Sequence, residues 1–450
     1  MVFSKNAILQ PEMSLKTIIL SLFSGLLALK YPGRAFSGTN HPGNDISIMN
    51  DTLPFPPEAG DNLLVNLMKR DPAFFQPILS QPDTFRVQLI YTSIQRDKSG
   101  KPSLTNHRYR LNPNEYFYPA STIKLPVAIL AVEKMRELGP LGINRNTCMV
   151  TRPAGEQLPG HYNEPNALDG KPSIDMLIRK LFLVSDNDAY NRLYEFIGQE
   201  EINQRLQTLG FPSAEIRHRL DVSISEAENR IANAIDFYGP SGNLMHQVPE
   251  RRSACSFTKR SDRLGNAYYK GNDLVMEPMD FSNKNRMGLA DLHETLLRLV
   301  LPETVEEHKR FRLLDEDRSF LLKVMSQFPK ESVYPSYPEP DYGNGYAKFI
   351  LPEDASQKRK NPIRSINKSG MAYGHLLDVA YVFDEHTGVE FFLSAIICCN
   401  RDGILNDDVY EYEETGFPFF KRLGQLLYQY ERERKRPHRA DFSELIFSPR

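Results

Sequence analysis

The stretch "YPASTIKLPVAIL", residues 118–130, sets Ser121 at the mouth of an apolar helix and Lys124 one turn further in. Leu125, Ile129, Val132 and Met135 recur at three- and four-residue spacing, which predicts a helix from Ser121 to Leu138. A lysine on its inward face costs free energy unless something uses it. The exposed N–H groups of a helix N-terminus carry partial positive charge and can steady a developing oxyanion, so Ser121 fits a nucleophile. Lys124 lies on the same face. Burial, or a second cation nearby, would lower its pKa until the neutral amine could take the serine proton. The string alone decides nothing, because Ser256–Lys259 and Ser365–Lys368 repeat it. Ser256 falls in a polar stretch and Ser365 in a strand-like one, and neither heads an apolar helix.

Two further triplets stand out. Ser185, Asp186 and Asn187 separate two helical segments in "LVSDNDAYNRLYEF". Each is a favoured helix cap, although a cap needs only one of them. Lys368, Ser369 and Gly370 open "KSGMAYGHLLDVAYVF", a strand-like region with a glycine where a backbone must come close to something. A lysine there is also ordinary protection of an edge strand.

Taken in order, Ser-x-x-Lys, Ser-Asp-Asn and Lys-Ser-Gly form the motif set of class A β-lactamases and penicillin-binding proteins. The chain resembles that family of penicillin-recognising serine hydrolases over about residues 60–433, with "YPASTIKLPV" and the Ala189 and Asn191 that follow the second triplet closest to class A. The resemblance implies roles. Ser121 would be acylated, Lys124 would be its base, and Ser185 would relay a proton to the leaving nitrogen. Asn187 would touch the substrate amide and buttress Lys124. Lys368 and Ser369 would hold the substrate carboxylate, beside Gly370. The N–H groups of Ser121 and Met371 would form the oxyanion hole, with Met371 narrowing its mouth.

The pattern departs from class A at the glutamate that drives deacylation. The stretch "DVSISEAENRIAN" after Leu220 holds Asp221, Glu226, Glu228 and Asn229 but no E-x-x-L-N, so either Glu226 is the base or the site lacks one. The interval between the second and third motifs is also stretched, by a polar, aromatic insertion at about 230–285 and by "SYPEPDYGNGYAKFILPEDASQKRK".

Around the motifs, "FRVQLIYTSIQRD" alternates with Phe85, Val87, Leu89 and Tyr91 on one face, a half-buried strand, and "HRYRL" reads as a second. Helical patterns fill the middle of the chain. "LLDVAYVF", the turn "DEHTG" and "VEFFLSAIICC" return to strand, and a helix closes at about 417–433. This is an α+β, β-lactamase/transpeptidase-like arrangement, with an antiparallel sheet built from both chain ends and an all-helical lobe inserted at about 121–330. The expected boundaries are a signal peptide over 1–37, a Pro/Gly-rich linker over 38–60, the hydrolase domain over 61–433 and a tail over 434–450.

Composition narrows the function. Lys+Arg at 55 against Asp+Glu at 57 gives no electrostatic reason for a nucleic-acid partner. Lys16, thirteen mostly apolar residues from Thr17 to Leu29, and Ala35 and Ser37 before Gly38 have the layout of a cleaved secretory signal, too short to span a bilayer. Export to the periplasm or medium is therefore expected, with no stable membrane anchor. The four cysteines show no metal spacing, and a Cys148–Cys255 bridge is left open. His293-Glu294 begins an H-E-x-x-H string whose fifth residue is Leu297, so no metal and no cofactor are expected. No G-x-S-x-G string supports an unrelated Ser-His-Asp hydrolase. The leading expectation is an acyl-enzyme-forming hydrolase of β-lactam amides. The alternatives are a D,D-peptidase or cell-wall amidase acting on D-Ala-type peptides, and a catalytically weak accessory protein of the same fold.

Overall fold

The structure is a computed structural model that describes residues 62–351, 363–443 and 445. The expected signal peptide and linker lie outside the described residues.

Apolar runs from both ends of the chain make the sheet. Strands β1 (Gln88–Arg96) and β2 (Pro102–Tyr109) come from the front of the chain. Strands β3 (Arg364–Ala372), β4 (His375–Asp384) and β5 (Val389–Cys398) come from the back. They join in the order β3-β4-β5-β1-β2, antiparallel throughout, with β1 paired to β5. The strands of both ends thus form one sheet, as the sequence predicts.

Both faces of the sheet are covered, so β4 and β5 are buried along almost their whole length. One face, with Ile366, Leu377, Val379, Tyr381 and Phe392, packs on the helical lobe. The other, with Leu376, Ala380, Val382 and Phe391, packs under α7 (Phe417–Glu433) and two short helices at Asn62–Met68 and Pro72–Ser80. The lobe contains α1 (Lys124–Glu137), α2 (Ile174–Leu183), α3 (Asn187–Ile197), α4 (Gln199–Thr208), α5 (Leu289–Val300) and α6 (Asp315–Ser326). Helix α1 is buried on nearly every side, from Lys124 through Val132, and forms its axis.

The 230–285 stretch, which carries little periodicity, folds as short strand pairs. Arg263–Leu264 pairs with Met279–Asp280, and Ala267–Lys270 pairs with both Asp273–Val275 and the distant Ile404–Leu405. The expected tail also returns to the body, for Phe442 packs its ring 5.1 Å from that of Phe383. All four cysteines are free, so Cys148 and Cys255 form no bridge.

Candidate active site

Ser121 lies in a 3-10 turn, Ala120–Ile123, that feeds directly into α1. The turn is tightened where Thr122 donates both its N–H and its hydroxyl to Pro119 O. Ala120 adopts a left-handed φ of 47°, an uncommon conformation for a residue with a Cβ. Ser121 Oγ has no hydrogen-bond partner among the described residues.

Lys124 is fully buried. Its Nζ donates to Asn187 Oδ1 at 2.7 Å, to Ser185 Oγ at 3.2 Å and to the Ser185 carbonyl. Helix α3 explains how the Ser-Asp-Asn triplet divides its work. Asp186 is the N-cap, accepting from Ala189 N at 2.7 Å, which leaves Ser185 and Asn187 to turn toward Lys124. Ser185 has a φ of 60°.

The third motif arrives on β3. Lys368 and Gly370 pair with Val379 and Leu377, so they share the face that meets the helical lobe. Lys368 Nζ donates to Ser185 Oγ at 2.9 Å and to Ser369 O at 2.7 Å. Gly370 is where β3 touches the acylating turn. A Cβ there would stand 3.0 Å from Ser121 N, 3.1 Å from Pro119 O and 3.1 Å from Thr122 N. Close approach to backbone therefore requires the glycine.

The same register places Met371. Ser365 O accepts from Lys348 Nζ at 2.7 Å, so it points off the free edge of β3. The two-residue period of the ladder gives Met371 the same edge, one residue past the glycine that meets Ser121 N. Ser369 follows that alternation too, and its side chain falls on the other face, where Oγ donates to Ala347 O at 3.0 Å. Its hydroxyl is not brought to the cluster of Ser185, Lys124 and Lys368.

Burial sets the electrostatics. Desolvation, followed by the charge of Lys368, pushes Lys124 well below the ordinary amine pKa. Desolvation brings Lys368 down to about 7. The Lys368 charge thus disfavours a proton on Lys124, and Ser185 Oγ accepts from both amines.

Glu226 stands apart. It begins a short helix, Glu226–Asn229, and pairs with Arg230 at 3.0 Å with its side chain more than half exposed. From that stretch it is Asp221 that reaches the site: its Oδ2 accepts from Asn187 Nδ2 at 3.4 Å, and its charge, after that of Asp186, acts on Lys124. Asp221 has a φ of 57°. Its approach is fixed one residue earlier, because the Asn191 side chain holds both Leu220 N, at 2.8 Å, and Leu220 O, at 2.9 Å. Arg219 anchors the same loop through a buried pair with Glu195 at 2.9 Å. The available signal was position. Asp221 directly follows a loop that α3 residues clamp, whereas Glu226 only opens the turn whose capping box is formed by Ser225 and Glu228.

Sequence reasoning also missed what lies behind β3. Lys348, buried, donates to Met325 O, Ser365 O and Asn367 Oδ1, and Asp378 accepts from Asn367 Nδ2 and from the N–H groups of Phe349 and Ile350. Among the described residues no group of side chains is arranged to hold a metal, and no helix is long and apolar enough to cross a membrane.

The family profile described as "Beta-lactamase enzyme family" matches residues 101–430. Among solved structures, the chain is similar to a β-lactamase from Sphaerobacter thermophilus, at 14% identity over 82% of this chain and 96% of that one, with a TM-score of 0.44. It is similar to PBP-A captured as an acyl-enzyme with penicillin G, at 16% identity over 84% and 100%, TM-score 0.45. It is also similar to a β-lactamase from Burkholderia phymatum, at 12% identity over 82% and 99%, TM-score 0.43. No curated protein matches the sequence.

Proposed function

The chain belongs to the β-lactamase enzyme family, and from that premise we propose that it is a serine hydrolase that forms an acyl-enzyme on Ser121 and hydrolyses β-lactam amides. One observation carries the reading: a fully buried Lys124 amine, depressed by burial and by Lys368, joined through Ser185 Oγ to the second lysine.

In acylation the neutral Lys124 amine takes the Ser121 proton as Oγ bonds to the lactam carbonyl carbon. The oxyanion lies between Ser121 N–H and Met371 N–H. Collapse breaks the C–N bond, and the proton passes from Lys124 through Ser185 Oγ to the leaving nitrogen. Protonated Lys368 attracts the substrate carboxylate. In deacylation Asp221, in place of Glu226, takes a proton from water as that water attacks the ester carbonyl. The second collapse breaks the C–Oγ bond, and the proton passes from Asp221 to Ser121 Oγ.

Intact-mass spectrometry of the protein with benzylpenicillin, sampled from seconds to hours, tests this. An adduct of one penicillin that disappears while penicilloate accumulates is expected, and Ser121→Ala should form none. A persistent adduct would favour the D,D-peptidase reading, since the acylating groups are common to both. Labelling that survives Ser121→Ala would move the nucleophile elsewhere.

A further inference from the structure

The two oxyanion donors sit on segments distant in sequence, and the structure joins those segments through one aromatic cluster. Tyr118 lies three residues before Ser121, and Tyr373 two residues after Met371. Their rings meet edge to face at 5.1 Å and 87°. Phe281, from the insertion, closes the triangle, with its ring centroid 5.0 Å from Tyr373 at 89° and 5.9 Å from Tyr118. Phe281 is fully buried, and Ala120 packs in the same cluster. Ala120 and Tyr373 are the left-handed residues on either side, at φ 47° and 52°. Such conformations persist only where surrounding packing over-determines them.

Phe281 is itself fixed. Its N–H donates to Asp262 O at 2.8 Å, and its carbonyl accepts from Lys284 N at 2.9 Å. It directly follows Met279–Asp280, which pairs with Arg263–Leu264. A few residues on, Asn285 is bonded to the backbone N–H groups of Arg217 and His218, at 2.7 and 3.0 Å. The His218 ring in turn stacks on Tyr118 at 6.3 Å. The end of the insertion therefore grips the acylating turn, the turn after β3 and the stretch that leads to Asp221.

We propose that Phe281 is a positioning residue: it wedges the Tyr118 and Tyr373 segments so that Ser121 N–H and Met371 N–H are spaced for one oxyanion. This rests on the acyl-enzyme reading above. Aromatic packing of this geometry is rigid and non-polar, so it can fix spacing without adding a competing hydrogen bond. A donor displaced by about 1 Å can cost about 100-fold in rate.

The test is Phe281→Leu, with acylation by benzylpenicillin followed by stopped flow across concentrations and folding followed by thermal melt. The expected result is a folded protein whose saturating acylation rate constant falls about 10- to 100-fold, with the half-saturating concentration unchanged within about twofold. An unchanged rate constant overturns the proposal. So does a raised half-saturating concentration with the rate constant intact, because Phe281 would then shape binding alone. If Phe281→Leu does not fold, Tyr373→Leu removes another ring of the triangle and is judged by the same split. A wild type that benzylpenicillin does not acylate defeats the β-lactam reading without touching the wedge. The wedge is then judged by labelling of Ser121 with a methylphosphonofluoridate, which needs nucleophile and oxyanion donors but no lactam recognition. Slower labelling of the variant supports it, equal labelling overturns it, and an unlabelled wild type overturns both.

Discussion

Lys124 and Lys368 converge on one hydroxyl: Ser185 Oγ lies 3.2 Å from the first amine and 2.9 Å from the second. Two cations so placed in a dry site cannot both be fully protonated at small cost. The arrangement divides labour, one amine free to accept a proton and the other able to carry charge toward substrate.

That division has a pH signature. Lys368 titrates at about 7, so its charge is present below that value and lost as the pH rises through it. KM for an anionic β-lactam should therefore rise by roughly 10-fold per unit above about pH 7 until a lysine-independent floor is reached. Steady-state kinetics from about pH 6 to about pH 9 will read this. A flat KM would mean that Lys368 does not hold the carboxylate.

Asp221→Asn should leave acylation within about threefold of wild type and prolong the acyl-enzyme by about 100-fold or more, since a general base contributes about 10²- to 10⁴-fold. Glu226→Gln, changing a side chain that pairs with Arg230, should alter neither step. Adduct lifetimes by mass spectrometry compare the two, and a short-lived adduct in Asp221→Asn would place the base elsewhere.

Gly370→Ala puts a Cβ 3.0 to 3.1 Å from three backbone atoms of the acylating turn. Backbone cannot step aside as a flexible side chain can, so the turn or β3 must move. A loss of about 1–3 kcal/mol in stability and about 100-fold in acylation is expected, read by denaturant titration and by burst kinetics. Unchanged acylation would contradict the placement of the oxyanion donors.

Behind β3, Lys348→Met removes the donor that Met325 O, Ser365 O and Asn367 Oδ1 share. Unpaired buried acceptors make this cost about 1–3 kcal/mol near neutral pH. The sign with pH follows from burial lowering Lys348 to about 7 in the folded chain against 10.5 as its ordinary value. Between those values the unfolded chain binds the extra proton, so this lysine adds stability as the pH rises and withdraws it as the pH falls through about 7. The variant should lose up to about 1.4 kcal/mol per pH unit of that slope, measured as the difference between the two proteins from about pH 7 to about pH 10. Equal slopes would show that Lys348 keeps its proton throughout.

Much of this was legible in the chain itself. Ser121 and Lys124 are three residues apart, and helical geometry alone puts them on one face. The near-continuous apolar runs "LLDVAYVF" and "VEFFLSAIICC" read as strands, and they are buried because both faces of the sheet are covered. Helix α7 runs over Phe417–Glu433, where periodicity places it.

The tertiary structure decided what local pattern cannot express. Ser369 is adjacent to Lys368 in sequence, yet strand alternation and the carbonyl of Ala347 take its hydroxyl to the opposite face. Glu226 and Asp221 are equally acidic on paper. Arg230 holds one outward, while Asn191, far along the chain, clamps Leu220 and presents the other to Asn187. Phe281 lies in a stretch without periodicity, and its partners are fixed by contacts between segments brought together only when both chain ends enter one sheet. Short-range spacing determined which groups could act as nucleophile and base, because helix and strand periods are local. Long-range packing determined which carboxylate, which lysine charge and which donors share a site, because burial and distance are properties of the folded whole.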